Sequence, residues 1–426
     1  MSKIAFIYPG QGAQKAGMGA DFYENSEIAR YIFDQAGEEL DLDMKELCFE
    51  ENDRLDLTEY TQAAMVTTCL AMTRVAESKG LKADITAGLS LGEYPAIAAA
   101  GGMNDMDAIR LVRKRGILMQ NTVPAGEGAM CAVISMAAEE IEKVIEPIAD
   151  VSVANYNCPG QIVITGKTDA VEEAAAKLKE AGARRTIMLN VSGPFHSQML
   201  VPAGEKLAEE LEHTRFHELR IPYVTNVTAE KVTDIRETPG LLTTQISSPV
   251  RWMQSMERMI ADGVDTFVEI GPGKTLEGFL RKIDRSVKVF HISQWEDVDK
   301  VGEELADGGN RMEETEKHCC CCSDNVEGNA EGGTEKTTVR AEEQKKQLLN
   351  RLRRMEGQLR GIEAMLERDA YCNDILIQSA AVNAAVNSFN KELLANHIRT
   401  CVARDIRAGK DETIDELVCT LQKLMK

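Results

Sequence analysis

The sequence predicts an α/β domain built on a parallel sheet, with an inserted ferredoxin-like subdomain and an all-α helical-bundle module after it. Short β-rich runs alternate with helical patterns over residues 1–305, as parallel strands covered by helices do. Composition shifts over 306–340, where Gly, Glu, Thr and Ser dominate and large apolar residues almost vanish; that is a linker composition. Beyond 341 the apolar residues recur at helical spacing, with no strand pattern.

The elements of the first part follow in order. IAFIYPG, ITAG and TFVEIGPG read as strands that end at Gly turns, and EYPAIAAAGG and MDAIRLVRKRGILMQ read as helices. Residues 129–191 form a smaller unit: AMCAVIS, a helix, VSVANYN, QIVITG, a second helix and RRTIMLNVS. The order β-α-β-β-α-β is the ferredoxin-like pattern. In 341–426, Leu348, Leu352, Met355, Leu359, Ile362 and Leu366 alternate at spacings of four and three, a helix–helix seam. A second helix opens near Asn373, RAGKDE breaks it, and a third holds Ile414, Leu417, Leu421 and Leu424.

Charge and cysteine content narrow the function classes. The 426 residues carry a net charge of −20. Residues 342–426 hold 14 Lys/Arg against 13 Asp/Glu, a balance of +1, so the rest carries −21. The acidic body argues against general nucleic-acid binding there, and the near-neutral tail leaves room for a local basic patch. No apolar run approaches the roughly 20 residues of a membrane helix, and the N-terminus lacks a secretory pattern. A cytoplasmic, membrane-free protein is expected. Its eleven cysteines, odd in number and irregularly spaced, are expected to be thiols, the clustered ones candidate metal ligands. Four of them, Cys319–Cys322, follow His318 inside the linker.

GLSLG at 88–92 matches G-x-S-x-G between a strand and a helix, the setting of a nucleophile elbow. The glycines permit the tight turn that lifts Ser90 Oγ clear of the sheet, and the Leu91 N–H at the helix start faces an oxyanion. Chance matches to this pattern are common, and a serine nucleophile needs a base. His213 and His217 lie in a charged, helix-like stretch that reads as solvated, and His291 reads as a strand residue. His196, in SGPFHSQML, sits in a rigid loop at a strand-to-helix transition and suits a positioned base; a purely structural histidine would read the same way.

PGQGAQ at 9–14, GLSLGEY at 88–94, the arginine of VRKRG, GPFHS at 193–197, QISSPVRW at 245–252 and EIGPGKTL at 269–276 occur in one order. Over about 1–300 the chain resembles the malonyl-CoA:acyl carrier protein transacylases. The resemblance implies an α/β hydrolase-like acyltransferase domain with no organic cofactor, acting on malonyl-CoA and acyl carrier protein through a serine ester. Ser90 becomes the nucleophile and His196 the base, oriented by the backbone carbonyl of Gln245. The N–H groups of Gln11 and Leu91 form the oxyanion hole, Arg115 holds the malonyl carboxylate and Phe195 narrows the acyl pocket. An exposed helix arginine is the bland alternative for Arg115, and a serine hydrolase the alternative for the domain. Many members have His before the serine; here it is Leu89, expected to point away from the nucleophile's own face.

In the tail, His397 and Cys401 are spaced i, i+4 and share a helix face with Leu393 and Phe389. With Cys372 they make a soft set of two thiolates and an imidazole, which suits Cu(I); two buried cysteines and a satisfied histidine would give the same pattern. RLRRMEGQLRGIEAML, YCNDILIQSAAVNAAVN and NHIRTCV resemble the copper-sensing repressors, all-helical regulators that self-associate. That resemblance implies a Cu(I) site in which Cys372 of one subunit joins His397 and Cys401 of its partner, supported by Tyr371 and an acid near Glu412. It also implies operator DNA bound by a basic face, for which Arg351, Arg353, Arg354 and Arg360 are the candidates; a solvated helix face is the alternative. Met312 begins MEETEKHCCCC, which reads like the start of a separate small protein, so two units are expected to join at about 308–312. An acyltransferase whose tail only oligomerises is the competing reading of the whole chain.

Overall fold

The computed structural model describes residues 2–307 apart from Ala125 and Ser192, residues 342–368, and single positions between 370 and 417. The chain divides into two compact units, Met1–Lys317 and His318–Lys426. Each is described by itself.

The first unit holds two sheets. The larger has six strands in the order β10-β9-β1-β2-β7-β8. These are β1 (Ile4–Tyr8), β2 (Ile85–Gly88), β7 (Tyr223–Val224), β8 (Lys231–Val232), β9 (Thr266–Ile270) and β10 (Lys288–Ile292). All pairings are parallel except β7 with β8. Strands β1, β2 and β9 are buried almost throughout, which explains their continuous apolar runs: a parallel sheet is covered on both faces. The helix Thr58–Ser78 is buried nearly all round. Apolar side chains from it, the strands and the helix Asp105–Thr122 fill the principal core.

The second sheet is antiparallel, in the order β4-β5-β3-β6, formed by β3 (Gly128–Ile134), β4 (Val151–Cys158), β5 (Gln161–Lys167) and β6 (Arg185–Met188). Helices Ala138–Ile145 and Thr168–Glu180 follow β3 and β5 and supply Ile141, Ile145, Val171 and Leu178 to a core of their own. The segment before the helix Trp252–Ala261 is stitched to β4: Tyr156 N–H donates to the Val250 carbonyl (2.9 Å) and Val250 N–H to the Ala154 carbonyl (2.8 Å).

Some local expectations change. Residues 213–217 are not helical, since the helix Val201–Glu212 ends before them. His213 is exposed, but His217 is half-buried, with Nε2 enclosed and unpartnered and its backbone N–H on the Gly102 carbonyl. The helix Trp295–Asp307 covers the first two residues assigned to the linker. Residues 308–341, including Cys319–Cys322, lie outside the described residues.

In the second unit the helix Glu342–Glu367 matches the seam reading, but the seam splits. Leu348 and Met355 are buried, whereas Leu352, Leu359 and Leu366 are exposed. Residues seven apart fall on one stripe, and among the described residues one of the two stripes is buried and the other exposed.

The elbow between β2 and the helix Glu93–Ala99 depends on close backbone approach. A Cβ on Gly88 would run into the Gly92 carbonyl, and one on Gly92 into the Tyr8 carbonyl at the end of β1. Gly92→Ala is therefore expected to cost at least about 3 kcal/mol, since backbone must shift. Urea unfolding of the chain measures this, and an unchanged midpoint would contradict the packing described.

Candidate active site

Four loops leave the carboxyl ends of neighbouring strands β9, β1, β2 and β7, where open α/β sheets place ligand sites. They carry Gly271–Thr275, Gln11, Ser90 and Asn226. Beside them lies a cavity of about 710 Å³, bordered by Gln11, Ser90, Leu91, Arg115, Phe195 and His196. The second sheet contributes Met130, Asn155 and Val163 to its wall.

Ser90 and His196 reach this cavity from separate segments of the chain. Ser90 follows β2, and His196 lies on the connection from β6 to the helix Val201–Glu212. Both adopt left-handed backbone, with φ of 54° and 61°, a conformation that non-glycine residues keep only where the surroundings hold them. Ser90 Oγ lies 2.8 Å from His196 Nε2. His196 Nδ1 lies 2.9 Å from the Gln245 carbonyl and 3.2 Å from the Ser248 carbonyl. A carbonyl only accepts, so Nδ1 carries the proton and Nε2 is left as the acceptor. Burial, and then the charge of Arg115, bring the imidazole pKa down to about 4, against the pull of the two carbonyls. His196 is thus neutral at pH 7.

Arg115, on the helix Asp105–Thr122, is 1% exposed. Its Nη1 donates to Gln62 Oε1 (2.7 Å), and its Nη2 to Ser90 Oγ (3.0 Å) and Gln245 Oε1 (3.0 Å). The guanidinium stands 5.8 Å from the Tyr94 ring centroid, and Nε is enclosed without a partner. Among the described residues no carboxylate lies within ion-pair distance of it. Burial holds its pKa below the usual guanidinium value. A buried cation held only by neutral acceptors is complementary to a small anion.

The predicted residues Ser90, His196, Gln245, Arg115, Gln11, Leu91 and Phe195 therefore surround one cavity or, for Gln245, touch those that do. Phe195 is buried beside Gly193. Leu89 does not turn wholly away: it borders the same cavity, lies against Gly10 and packs on the apolar cluster behind β2. Three residues of the site were not singled out from sequence. Gln62 holds Arg115. Glu93, fully buried, accepts from Gln245 Nε2 (2.6 Å) and the Asn226 N–H (3.1 Å). Asn226 bonds both sides of the elbow, at Ser90 N–H and the Gly88 carbonyl. Burial pushes the Glu93 carboxyl up to about 7, while its hydrogen bonds and Arg115 pull the other way. Glu93 lies inside the quoted GLSLGEY, which was the one available signal.

In the second unit, Arg351, Arg353, Arg354 and Arg360 lie exposed on the helix Glu342–Glu367, and Arg360 pairs with Glu356 at 2.8 Å. His397 is half-buried on helical backbone and Tyr371 is exposed. Cys372, Cys401 and Glu412 lie outside the described residues, and among the described residues no His/Cys/Asp/Glu group gathers as a metal site. No described helix is long and apolar enough to cross a membrane.

Comparison with known proteins places both parts. Residues 5–319 match the acyl transferase domain family, and residues 344–423 match the metal-sensitive transcriptional repressor family. A malonyl CoA-acyl carrier protein transacylase of Bacillus subtilis is 44% identical over 304 residues, 70% of this chain and 96% of that protein. A crystal structure of the malonyl CoA-acyl carrier protein transacylase from Clostridium perfringens is 42% identical, with a TM-score of 0.71, covering 74% of this chain and 100% of that one. A type II PKS acyl-carrier protein in complex with its malonyl-transacylase offers a further match, 36% identical with a TM-score of 0.69, covering 71% of this chain and 100% of that one. The chain belongs to the malonyl CoA-acyl carrier protein transacylase family and carries, at its C-terminal end, a metal-sensitive transcriptional repressor domain.

Proposed function

We propose that the first unit moves a malonyl group from malonyl-CoA to acyl carrier protein through an ester on Ser90. The observation that carries this reading is the buried Arg115 guanidinium, unpaired with any described carboxylate and 3.0 Å from Ser90 Oγ. An enzyme for neutral acyl chains has no use for that charge, which disfavours a general hydrolase. In the proposed reaction Ser90 Oγ attacks the thioester carbonyl and gives its proton to His196 Nε2. The backbone N–H groups of Gln11 and Leu91 hold the developing oxyanion. The intermediate collapses by breaking the C–S bond, and the departing CoA sulfur takes the proton from His196. The thiol of acyl carrier protein then runs the same steps in reverse and frees Ser90. Arg115 holds the malonyl carboxylate throughout, and Phe195 limits the acyl chain. The antiparallel sheet β3–β6, with its β-α-β-β-α-β order, is read as a ferredoxin-like insert that closes the cavity.

For the second unit, Arg351, Arg353, Arg354 and Arg360 are read as the phosphate-binding face of an operator-binding, self-associating module. Cys372, His397 and Cys401 are its Cu(I) ligands. The chemistry of the donor set supports the metal, since thiolates favour a soft monovalent ion. Cys319–Cys322 belong to the linker before it, which joins domains 1–305 and 341–426.

Four outcomes test these assignments. Incubation with malonyl-CoA is expected to add one malonyl mass to the chain and none to Ser90→Ala; a label that survives in Ser90→Ala excludes the ester. Arg115→Ala is expected to lose malonyl transfer by about 2–5 kcal/mol of transition-state stabilisation, with acetyl transfer far less affected; equal losses show that Arg115 does not read the carboxylate.

The pH profile of kcat/KM follows from His196. Its pKa in the free enzyme is lowered to about 4, so the base is unprotonated above that value and protonated below it. Activity is expected to hold steady as pH falls through 6.5 and to drop only on approach to about 4. In Glu93→Gln, which removes the carboxyl that burial pushes up to about 7, an acid limb centred near the ordinary histidine value would overturn the assignment.

For the second unit, DNA affinity measured at several salt concentrations is expected to fall steeply with salt, and Cu(I) to weaken it further. His397→Ala is expected to keep the apo affinity and blunt the copper response. An affinity that ignores both salt and Cu(I) removes the sensor reading.

A further inference from the structure

We propose that Asn226, held by Glu93, is a positioning residue that sets the nucleophile turn and the oxyanion donor beside it. The inference rests on the Ser90 ester reading above.

The side chain of Asn226 spans the elbow. Its Oδ1 accepts the Ser90 N–H at 2.7 Å and its Nδ2 donates to the Gly88 carbonyl at 2.6 Å. One partner only donates and the other only accepts, so the carboxamide has a single workable orientation. Asn226 is 1% exposed, and its own backbone is fixed on both sides. Its N–H goes to Glu93 Oε2, and its carbonyl accepts from Arg251 N–H at 3.0 Å. Glu93 Oε2 also accepts from Gln245 Nε2, and that same nitrogen donates to the Ser90 carbonyl at 3.0 Å.

The backbone N–H and C=O of Ser90 are therefore each tied to a side chain, and one buried carboxylate anchors both ties. The consequence follows from peptide planarity. Fixing the Ser90 N–H fixes the Leu89–Ser90 peptide plane. Fixing the Ser90 carbonyl fixes the Ser90–Leu91 plane, and the Leu91 N–H must then point to the opposite side of that plane. Two side chains set the left-handed φ of Ser90 and the aim of the Leu91 N–H together. Neither Asn226 nor Glu93 borders the cavity, so neither is placed to touch malonyl-CoA.

This arrangement predicts a specific kinetic split. Asn226→Ala and the isosteric Asn226→Asp, which loses the donor to Gly88, should each slow acylation of Ser90 by malonyl-CoA at least about 30-fold, roughly 2 kcal/mol. KM should change less than about threefold, because the cavity wall is intact. Glu93→Ala should behave alike. Glu93→Gln, which keeps a carbonyl oxygen for both donors, should recover to within about fivefold of the parent.

The test is rapid-quench mass spectrometry of the full chain, with rates normalised to folded protein by thermal melting. A loss confined to KM, or a parent-like rate in Asn226→Asp, would overturn the proposal. So would Glu93→Gln as slow as Glu93→Ala. If Asn226→Ala fails to fold, the Asn226→Asp and Glu93→Gln rates decide. If the parent chain itself forms no malonyl adduct at Ser90, the ester reading fails and not the clamp alone; an adduct in the parent with unchanged rates in the variants removes only the clamp.

Discussion

Arg115 buries a positive charge in the first unit, with no described carboxylate within ion-pair distance of it. Burying a guanidinium is costly unless its N–H groups are satisfied, and the fold supplies neutral acceptors from three directions. Gln62 comes from the long buried helix, Gln245 from the segment before β9, and Ser90 from the elbow. This arrangement leaves attractive potential for an incoming carboxylate, which a preformed ion pair would have consumed. It also acts on the neighbouring titratable group. The charge of Arg115 adds to burial in holding His196 neutral, so the buried cation and the imidazole beside Ser90 are electrostatically coupled. Glu93 supplies a buried carboxylate nearby, joined to Arg115 through Gln245 rather than directly.

What was legible in the sequence follows the range of the interactions. The elbow was legible because its constraint is local: Gly88 and Gly92 flank Ser90, and a side chain at either would strike backbone. The strands β1, β2 and β9 were legible as apolar runs ending in glycine. His196 was separable from His217 only by its setting, since burial of a histidine is decided by residues far away in sequence. Asn226 left no mark at all. Its bonds to Ser90 and Gly88 cross 136 and 138 residues, and a clamp of that kind has no spacing rule. Gln62, 53 residues from Arg115, was hidden in the same way.

The second unit shows the opposite limit. Helical periodicity identified the Glu342–Glu367 helix, yet periodicity records only that apolar residues align and not what covers them. Leu348 and Met355 find cover within the chain, while Leu352, Leu359 and Leu366 do not. The arginines on the same helix are exposed and close together, so charge and apolar surface share its exterior. The separation of charge along the chain, −21 against +1, leaves the near-neutral tail less repulsive to an anion than the acidic body.

The geometry of the candidate active site depends on how the two sheets of the first unit meet. Ser90, Gln11 and Asn226 ride on loops of the parallel sheet. His196 returns from β6 of the antiparallel sheet, and Ser248 precedes the Val250 stitch to β4. The shorter His196–carbonyl contact comes from Gln245 at the end of the helix Thr238–Gln245, the longer from Ser248, and the 2.8 Å Ser90–His196 bond joins loops of the two sheets. Gln245 links these loops as well, giving its carbonyl to His196 and its side chain to Arg115 and the Ser90 carbonyl. Met130, Asn155 and Val163 of the antiparallel sheet border the same cavity as Ser90 and His196, so the two sheets complete one site that neither forms alone.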